Sequence, residues 1–237
     1  GDASHRTLAG GSGADTLAAG SAAAVDLRGG AGNDALTGSA LADLVAGDRG
    51  DDRLTGLAGN DLLAGGEGDD TLDAGEGNDL LTGGTGDDLL APGAGDDLAF
   101  GAAGNDTFDS GAGNDFAFGG AGDDVYRFGA GAGYDVIVDA EGANRVRFAT
   151  GLRAADVAFR TDGTHLLAAL PDGSRLRLPY AVSAYEGFTQ TRVASFDFDG
   201  ESLTLAQAIE RATATIAGDS PPLATPSVPL SATGDLD

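Results

Sequence analysis

An aspartate falls every nine residues, without a slip, over the stretch Asp34, Asp43, Asp52, Asp61, Asp70, Asp79, Asp88, Asp97, Asp106, Asp115 and Asp124. Two residues before each sits a glycine, among them Gly50, Gly59, Gly68, Gly77, Gly86, Gly95, Gly104, Gly113 and Gly122, with Leu41 the one exception. Asn or Asp comes just before most of them, as at Asn60 and Asp69. An apolar side chain usually follows two residues after, as at Leu54, Leu63 and Leu72. A fixed period of this kind constrains the fold more than local propensity does, because each repeat can bury its apolar face only against its neighbours. A solvated acidic tail does not place Leu or Val at a fixed offset from every Asp.

Each repeat has two parts. The glycine-rich part needs backbone conformations that glycine reaches without steric cost and that Asn or Asp tolerates. The three residues after the Asp are expected to form a short strand with the middle one facing in. Two repeats then close a coil, and coils stack as parallel strands about 4.8 Å apart. One inward row reads Leu36, Leu54, Leu72, Leu90, Phe108 and Tyr126, and the facing row reads Val45, Leu63, Leu81, Ala99 and Ala117. The second row shrinks where the first turns aromatic, as a thin core of constant volume requires.

Gly65-Gly66-Glu67-Gly68-Asp69-Asp70-Thr71-Leu72-Asp73 and the copy from Gly83 to Ala91 fit GGxGxDxUx at every fixed position. The stretch therefore resembles the RTX (repeats-in-toxin) calcium-binding β-roll. The resemblance implies an all-β fold: a right-handed parallel β-roll followed by a small antiparallel β-hairpin domain with one short helix. It also implies calcium sites between turns one coil apart, each using an Asp from both turns. The upper turn adds carbonyls from its second and fourth positions, and the lower turn adds those of its first and third. Carried over, one column pairs Asp34, Asp52, Asp70, Asp88, Asp106 and Asp124 in succession, and the other pairs Asp43, Asp61, Asp79, Asp97 and Asp115. Asp135 would follow Asp115 across an insertion. The glycines concerned are Gly66, Gly75, Gly84, Gly93, Gly111 and Gly120 at the second position, with the fourth-position set named above. About eight to ten ions are expected. Leu41 departs from the pattern in the Asp43 turn.

Charge supports a cationic partner. The chain carries 38 acidic residues against 13 arginines and no lysine, for a net charge of −25. Residues 1–139 hold 26 of the acids and 5 of the arginines. Such a surface argues against nucleic acid or an anionic membrane, and without cations its repulsion and 41 glycines oppose folding. The absence of cysteine excludes disulfides and thiol chemistry, and no apolar run is long enough to span a membrane. The chain starts at Gly1 with neither Met nor a signal-peptide pattern, as a C-terminal fragment of a longer protein would.

Four segments are expected. Residues 1–28 are irregular repeats that cap the stack, with Asp26 read as the acidic position of the second copy. Residues 29–148 are the calcium-binding roll with a closing turn and a final strand from Asp139 to Phe148. Residues 149–217 are a C-terminal RTX-associated domain, with hairpin turns at Asp162-Gly163, Asp172-Gly173 and Asp199-Gly200 and a helix capped by Thr204. Residues 218–237, rich in Pro, Ser and Thr, are a disordered tail. His5 and His165 form no zinc motif, Asp197 to Glu201 is a hairpin turn rather than an EF-hand loop, and no nucleophile elbow or phosphate loop is present.

These features, with the resemblance, imply a secretion and folding module of a larger exported protein. It would leave a Gram-negative bacterium unfolded through type I secretion machinery and fold in extracellular calcium, without being an enzyme itself. The alternatives are an adhesin, surface-layer or polysaccharide-binding repeat, or the C-terminal part of a lipase or protease. An outward row of Leu44, Leu62, Leu80, Leu98 and Phe116, joined by Phe100 and Phe118, is expected to be an apolar docking face. It would meet residues 151–212 folded back, an upstream domain or a second copy.

Overall fold

The computed structural model describes residues 6–20, 23–161, 165–179 and 192–214. The chain alternates between two sheets, taking one strand in each per coil. Among the described residues one sheet has twelve strands and the other ten. Leu62 pairs with Leu80 and Leu54 with Leu72, both in parallel, so a regular coil takes 18 residues. Leu36, Leu54, Leu72 and Leu90 from one wall and Val45, Leu63 and Leu81 from the other are fully buried between the sheets. Where the core turns aromatic, Phe108 and Tyr126 stack at 4.9 Å. The all-β parallel roll read from the period is thus the observed fold, followed by antiparallel strands and one helix.

Several local readings need correction. The regular strands are six residues long, as in Leu62–Glu67 and Thr71–Glu76, rather than three. The glycine half of each repeat also joins its neighbour one coil on, as Gly66 does with Gly84. The ragged start is itself a coil: Thr16 pairs with Ala35 and Leu8 with Leu27 at a spacing of 19 residues. Within it Asp26 is not the acidic position. Leu27 must face inward beside Val45, which puts Val25 in the in-phase place. There its N–H donates to Asp43 Oδ1 (2.7 Å), as an aspartate's does elsewhere.

Both sheets continue past Phe148. Of the segment from Asp139 to Phe148 read as the last strand, only Asn144–Phe148 is one, and Tyr134–Ile137 before it is a strand of the opposite sheet. Each then receives a further parallel neighbour: Arg175–Pro179 on Tyr134–Ile137 and Val193–Phe198 on Asn144–Phe148. The described part of 151–214 therefore lengthens both sheets and does not fold back over the outward leucine row. In that row Leu62 is 37% exposed, Leu44, Leu80, Leu98 and Phe116 are half-buried, and Phe100 stacks on Phe118.

The cap is built on aromatics. Phe148 stacks on Phe198 at 4.6 Å, and Phe159 meets Phe196 edge-on at 5.4 Å. Ala158–Thr161, His165–Ala169 and Arg175–Pro179 pair antiparallel, as do Val193–Phe198 and Glu201–Thr204 around Asp199-Gly200. Helix Leu205–Arg211 starts at Thr204, whose side chain accepts from the Gln207 N–H while the Gln207 side chain accepts from the Thr204 N–H. That reciprocal pair satisfies two amides the first turn would leave open. The Asp162-Gly163 turn, His5 and residues 218–237 lie outside the described residues. Among the described residues no helix is long and apolar enough to cross a membrane.

Candidate metal centre

The period places the aspartates in two columns, one at each edge of the sheet sandwich. Within a column each Asp N–H but the last donates to Oδ1 of the Asp one coil on: Asp34 to Asp52 (2.7 Å), Asp52 to Asp70 (2.7 Å) and Asp70 to Asp88 (2.8 Å). On the other side the same bonds run from Asp61 to Asp79 and from Asp79 to Asp97 (both 2.7 Å), then from Asp97 to Asp115 (2.9 Å). Asp115 reaches Asp135 across the lengthened coil at 3.1 Å. Every one of these aspartates is buried, from Asp115 at 5% exposed to Asp97, Asp106 and Asp124 at 0%.

That geometry occupies one oxygen of each carboxylate and leaves the other alone. The buried Oδ2 atoms of Asp34, Asp52, Asp61, Asp70, Asp79, Asp88, Asp97, Asp106, Asp115, Asp124 and Asp135 have no hydrogen-bond partner. A buried unpaired anionic oxygen is costly, and here the cost recurs on every coil. Burial alone pushes Asp79 up to about 6. Burial first, with neighbouring carboxylates adding to it, pushes Asp70 and Asp106 to about 6, Asp61, Asp88, Asp97 and Asp124 to about 7, Asp115 to about 8 and Asp135 to about 9.

The orphan oxygens face main-chain oxygens. A Cβ built on Gly65 would run into Asp70 Oδ2 and lie 2.6 Å from the carbonyl of Gly83, the first residue of the turn one coil on. Gly47 stands in the same relation to Asp52 and Gly65, and Gly101 to Asp106 and Gly119. Second- and fourth-position glycines stack their carbonyls over the next coil: a side chain on Gly84 would overlap the Gly66 oxygen, and one on Gly86 the Gly68 oxygen. Both also have φ near +120°, so glycine is needed for conformation and for space. The donors are thus carboxylate and carbonyl oxygens, hard ligands that suit calcium. Among the described residues no three or more His, Cys, Asp or Glu side chains gather at one point. A turn that mixes carboxylates with carbonyls would not gather them.

Two positions differ from the sequence reading. Asp43 is buried, but its Oδ2 accepts from the N–H of Ser39 and its Oδ1 from the Ser39 hydroxyl at 3.1 Å. With Leu41 in place of glycine, this turn meets the carboxylate with its own donors. Asp15, left out of the carried-over set, has an orphan buried Oδ2 and donates its N–H to Asp34 Oδ1 at 2.7 Å. The stretch Gly10-Gly11-Ser12-Gly13-Ala14-Asp15-Thr16-Leu17, which fits the repeat at its glycines, its Asp and its apolar position, was the signal that could have included it. His165 lies in a hairpin strand, its Nε2 2.8 Å from Arg177 Nη2.

A parallel roll with columns of partnerless carboxylate oxygens against main-chain carbonyls defines a calcium-binding β-roll. The family model of the RTX calcium-binding nonapeptide repeat matches residues 7–23, 26–45, 37–72, 64–99, 92–126 and 100–137, more than half of the chain. The chain belongs to this family. No curated protein sequence matches it. Among solved structures it is similar to the extracellular lipase LipA from Serratia marcescens, with 18% identity and a TM-score of 0.25. The match covers 68% of this chain and spans only 40% of that one.

Proposed function

We propose that the roll is a calcium-triggered folding module of an exported protein. The observation that carries the reading is the run of buried Asp Oδ2 atoms without partners. Calcium would be held by Asp34, Asp52, Asp61, Asp70, Asp79, Asp88, Asp97, Asp106, Asp115, Asp124 and Asp135, together with carbonyls of the glycine turns, for about eight to ten ions. Bound calcium supplies positive charge that the chain lacks, and the residues themselves supply a dry, preformed oxygen cradle. Residues 29–148 would form the binding unit, 149–217 its cap and 218–237 a tail.

Because the ions bind only the folded state, they stabilise it by mass action, coil by coil. A chain of this charge would stay unfolded where calcium is scarce, pass a type I secretion channel, and fold outside the cell. This chain would carry no catalysis of its own. The half-exposed apolar row from Leu44 to Phe116 favours a second reading, a binding module that docks by that face. Far-UV circular dichroism tests the main reading. The chelated protein should show little β signal and gain it cooperatively on adding calcium, and a full β signal in excess chelator contradicts it.

A further inference from the structure

The column that runs from Asp34 to Asp124 ends unlike the rest of the molecule. Asp88 donates its N–H to Asp106 Oδ1 (2.9 Å) and Asp106 to Asp124 Oδ1 (2.7 Å). Asp124 donates instead to Asn144 Oδ1 at 2.8 Å, and Asn144 commits its Nδ2 to the Glu141 carbonyl at 2.6 Å. The hydrogen-bond pattern continues into Asn144 while the charge does not.

A carboxylate arrives from outside the repeat. Asp139, 2% exposed, takes the Tyr126 hydroxyl on its Oδ2 at 2.6 Å. Tyr126 is the one hydroxyl in an inward row otherwise made of Leu and Phe. A Cβ on Gly119 would come inside 3.0 Å of Asp124 Oδ2, Asp139 Oδ2 and Tyr126 Oη together. One coil earlier, the equivalent point at Gly101 meets Asp106 Oδ2 and the Gly119 carbonyl. At Gly119 a second carboxylate and a hydroxyl come nearer that point than any main-chain oxygen does. Asp124 is 0% exposed, and its Oδ2, aimed into this gap, has no hydrogen-bond partner. Asp124 and Asp139 lie within hydrogen-bond reach of each other, and two buried carboxylates so close must hold either a shared proton or a cation between them.

We infer that Asp124, Asp139 and Tyr126 form a terminal divalent-cation site distinct from the nonapeptide sites, with a second carboxylate where the other turns offer a main-chain oxygen. The inference rests on the reading of the roll as a calcium binder. Added negative charge in an all-oxygen site raises calcium affinity, so this site fills before the rest of its column. Its ion ties the segment carrying Asp139 to the last regular coil; that segment leads into Asn144–Phe148, on which the cap strand Val193–Phe198 is laid.

Asp139→Asn in the full chain keeps an acceptor for the Tyr126 hydroxyl and removes the charge. Calcium counted by equilibrium dialysis and titration calorimetry should fall by one ion per chain, and the tightest phase should disappear. If the substituted chain binds as many ions with the same affinities, Asp139 is only the partner of Tyr126 and the inference is overturned. An unsubstituted chain that binds no calcium overturns the calcium-roll reading as well, so the two failures are distinguishable. Should Asp139→Asn fail to fold at saturating calcium, the double variant Asp139→Asn/Asn144→Asp returns a carboxylate to the column. Recovery of the fold and of the lost ion supports the site, and a double variant that recovers neither overturns it.

Discussion

Asp79, in the middle of the roll, and Asp172, in a hairpin turn of the cap, are both aspartates at turns, yet their surroundings differ in kind. Asp79 is 1% exposed with an orphan Oδ2, and burial pushes its carboxyl up to about 6. Asp172 is in water, accepts from the N–H of Gly131 (2.7 Å) and the Ser174 hydroxyl (2.8 Å), and is held below the usual carboxylate value, first by the Gly131 bond. Asp156 in the cap is likewise lowered, first by its side-chain bond to Arg153. These cap acids meet hydrogen-bond donors within the protein, Asp172 through Gly131 and Ser174 and Asp156 through Arg153, and the cap's interior is filled by Phe159, Phe196 and Phe198 packed on Phe148. The roll has a one-layer Leu core and leaves its acids to be met from outside. A calcium-dependent fold therefore needs two things: a core too thin to suffice alone, and buried charge that only a cation can match.

The largest expected effect is collective and depends on pH. In the calcium-free protein, nine roll carboxylates have folded values of about 6 to 9 against 3.8 when unfolded. Within that window the folded state binds more protons, so stability falls as pH rises from about 4 to 8 and is restored in acid. With calcium bound the sign inverts, because protons then compete with the ion. Circular dichroism of demetallated protein should show β signal growing as pH falls from 8 to about 4.5. A flat signal would mean the carboxylates are not held dry.

Next in size is a single pair of substitutions. Asp79→Asn removes a buried charge from one column, so it should destabilise the roll in calcium and stabilise what fold exists without it. Asp43→Asn should destabilise under both conditions, because it puts an amide N–H against the Ser39 donors. Thermal unfolding with and without calcium reads both. Equal behaviour of the two variants would erase the distinction between an orphan and a satisfied turn.

The cap should answer to packing instead. Phe196→Ala deletes a fully buried ring between Phe148 and Phe159 and should cost about 3–5 kcal/mol. The number of calcium ions bound at saturation should not change. If it falls, the cap strands help to shape the last sites, and roll and cap are one cooperative unit.

The roll was far more legible in the sequence than the cap. A fixed period fixes register, so Asp columns, inward rows and the aromatic-for-alanine exchange at Phe108 and Ala99 all follow from the spacing alone. The hairpin turn at Asp199-Gly200 and the Thr204 cap were legible for a different reason, local turn and capping chemistry. What could not be read was pairing between non-repeating strands. Nothing in the sequence says that Arg175 lies beside Tyr134 or Phe196 beside Val146. Phase near an irregular end was equally hidden: an acid at Asp26 suggested one register, and the inward demand of Leu27 set another. Asp139 was missed because it lies outside the period that drew attention to the other carboxylates.

The smallest effect concerns the backbone that the period imposes on every residue. At the second turn position most copies carry glycine, but Asp48, Leu57 and Ala102 are held at φ of 77°, 90° and 84°. Left-handed backbone costs a residue with a Cβ about 1–2 kcal/mol. In the cap, positive φ at the hairpin turns falls on glycine, at Gly173 and Gly200. Leu57 is 46% exposed, so truncating it loses little burial. Leu57→Gly relieves the strain but adds freedom to the unfolded chain, about 0.4–1 kcal/mol in the other direction. The net expectation is a gain of about 0.5–1 kcal/mol, seen as a small rise in melting temperature at saturating calcium. Gly66→Ala, whose Cβ would meet the Asp48 carbonyl at φ 124°, should lose stability under the same conditions. A Leu57→Gly variant that melts lower than the unsubstituted chain would show that stacking relieves the left-handed cost, and that the roll holds its turn conformation as easily as the cap holds its own.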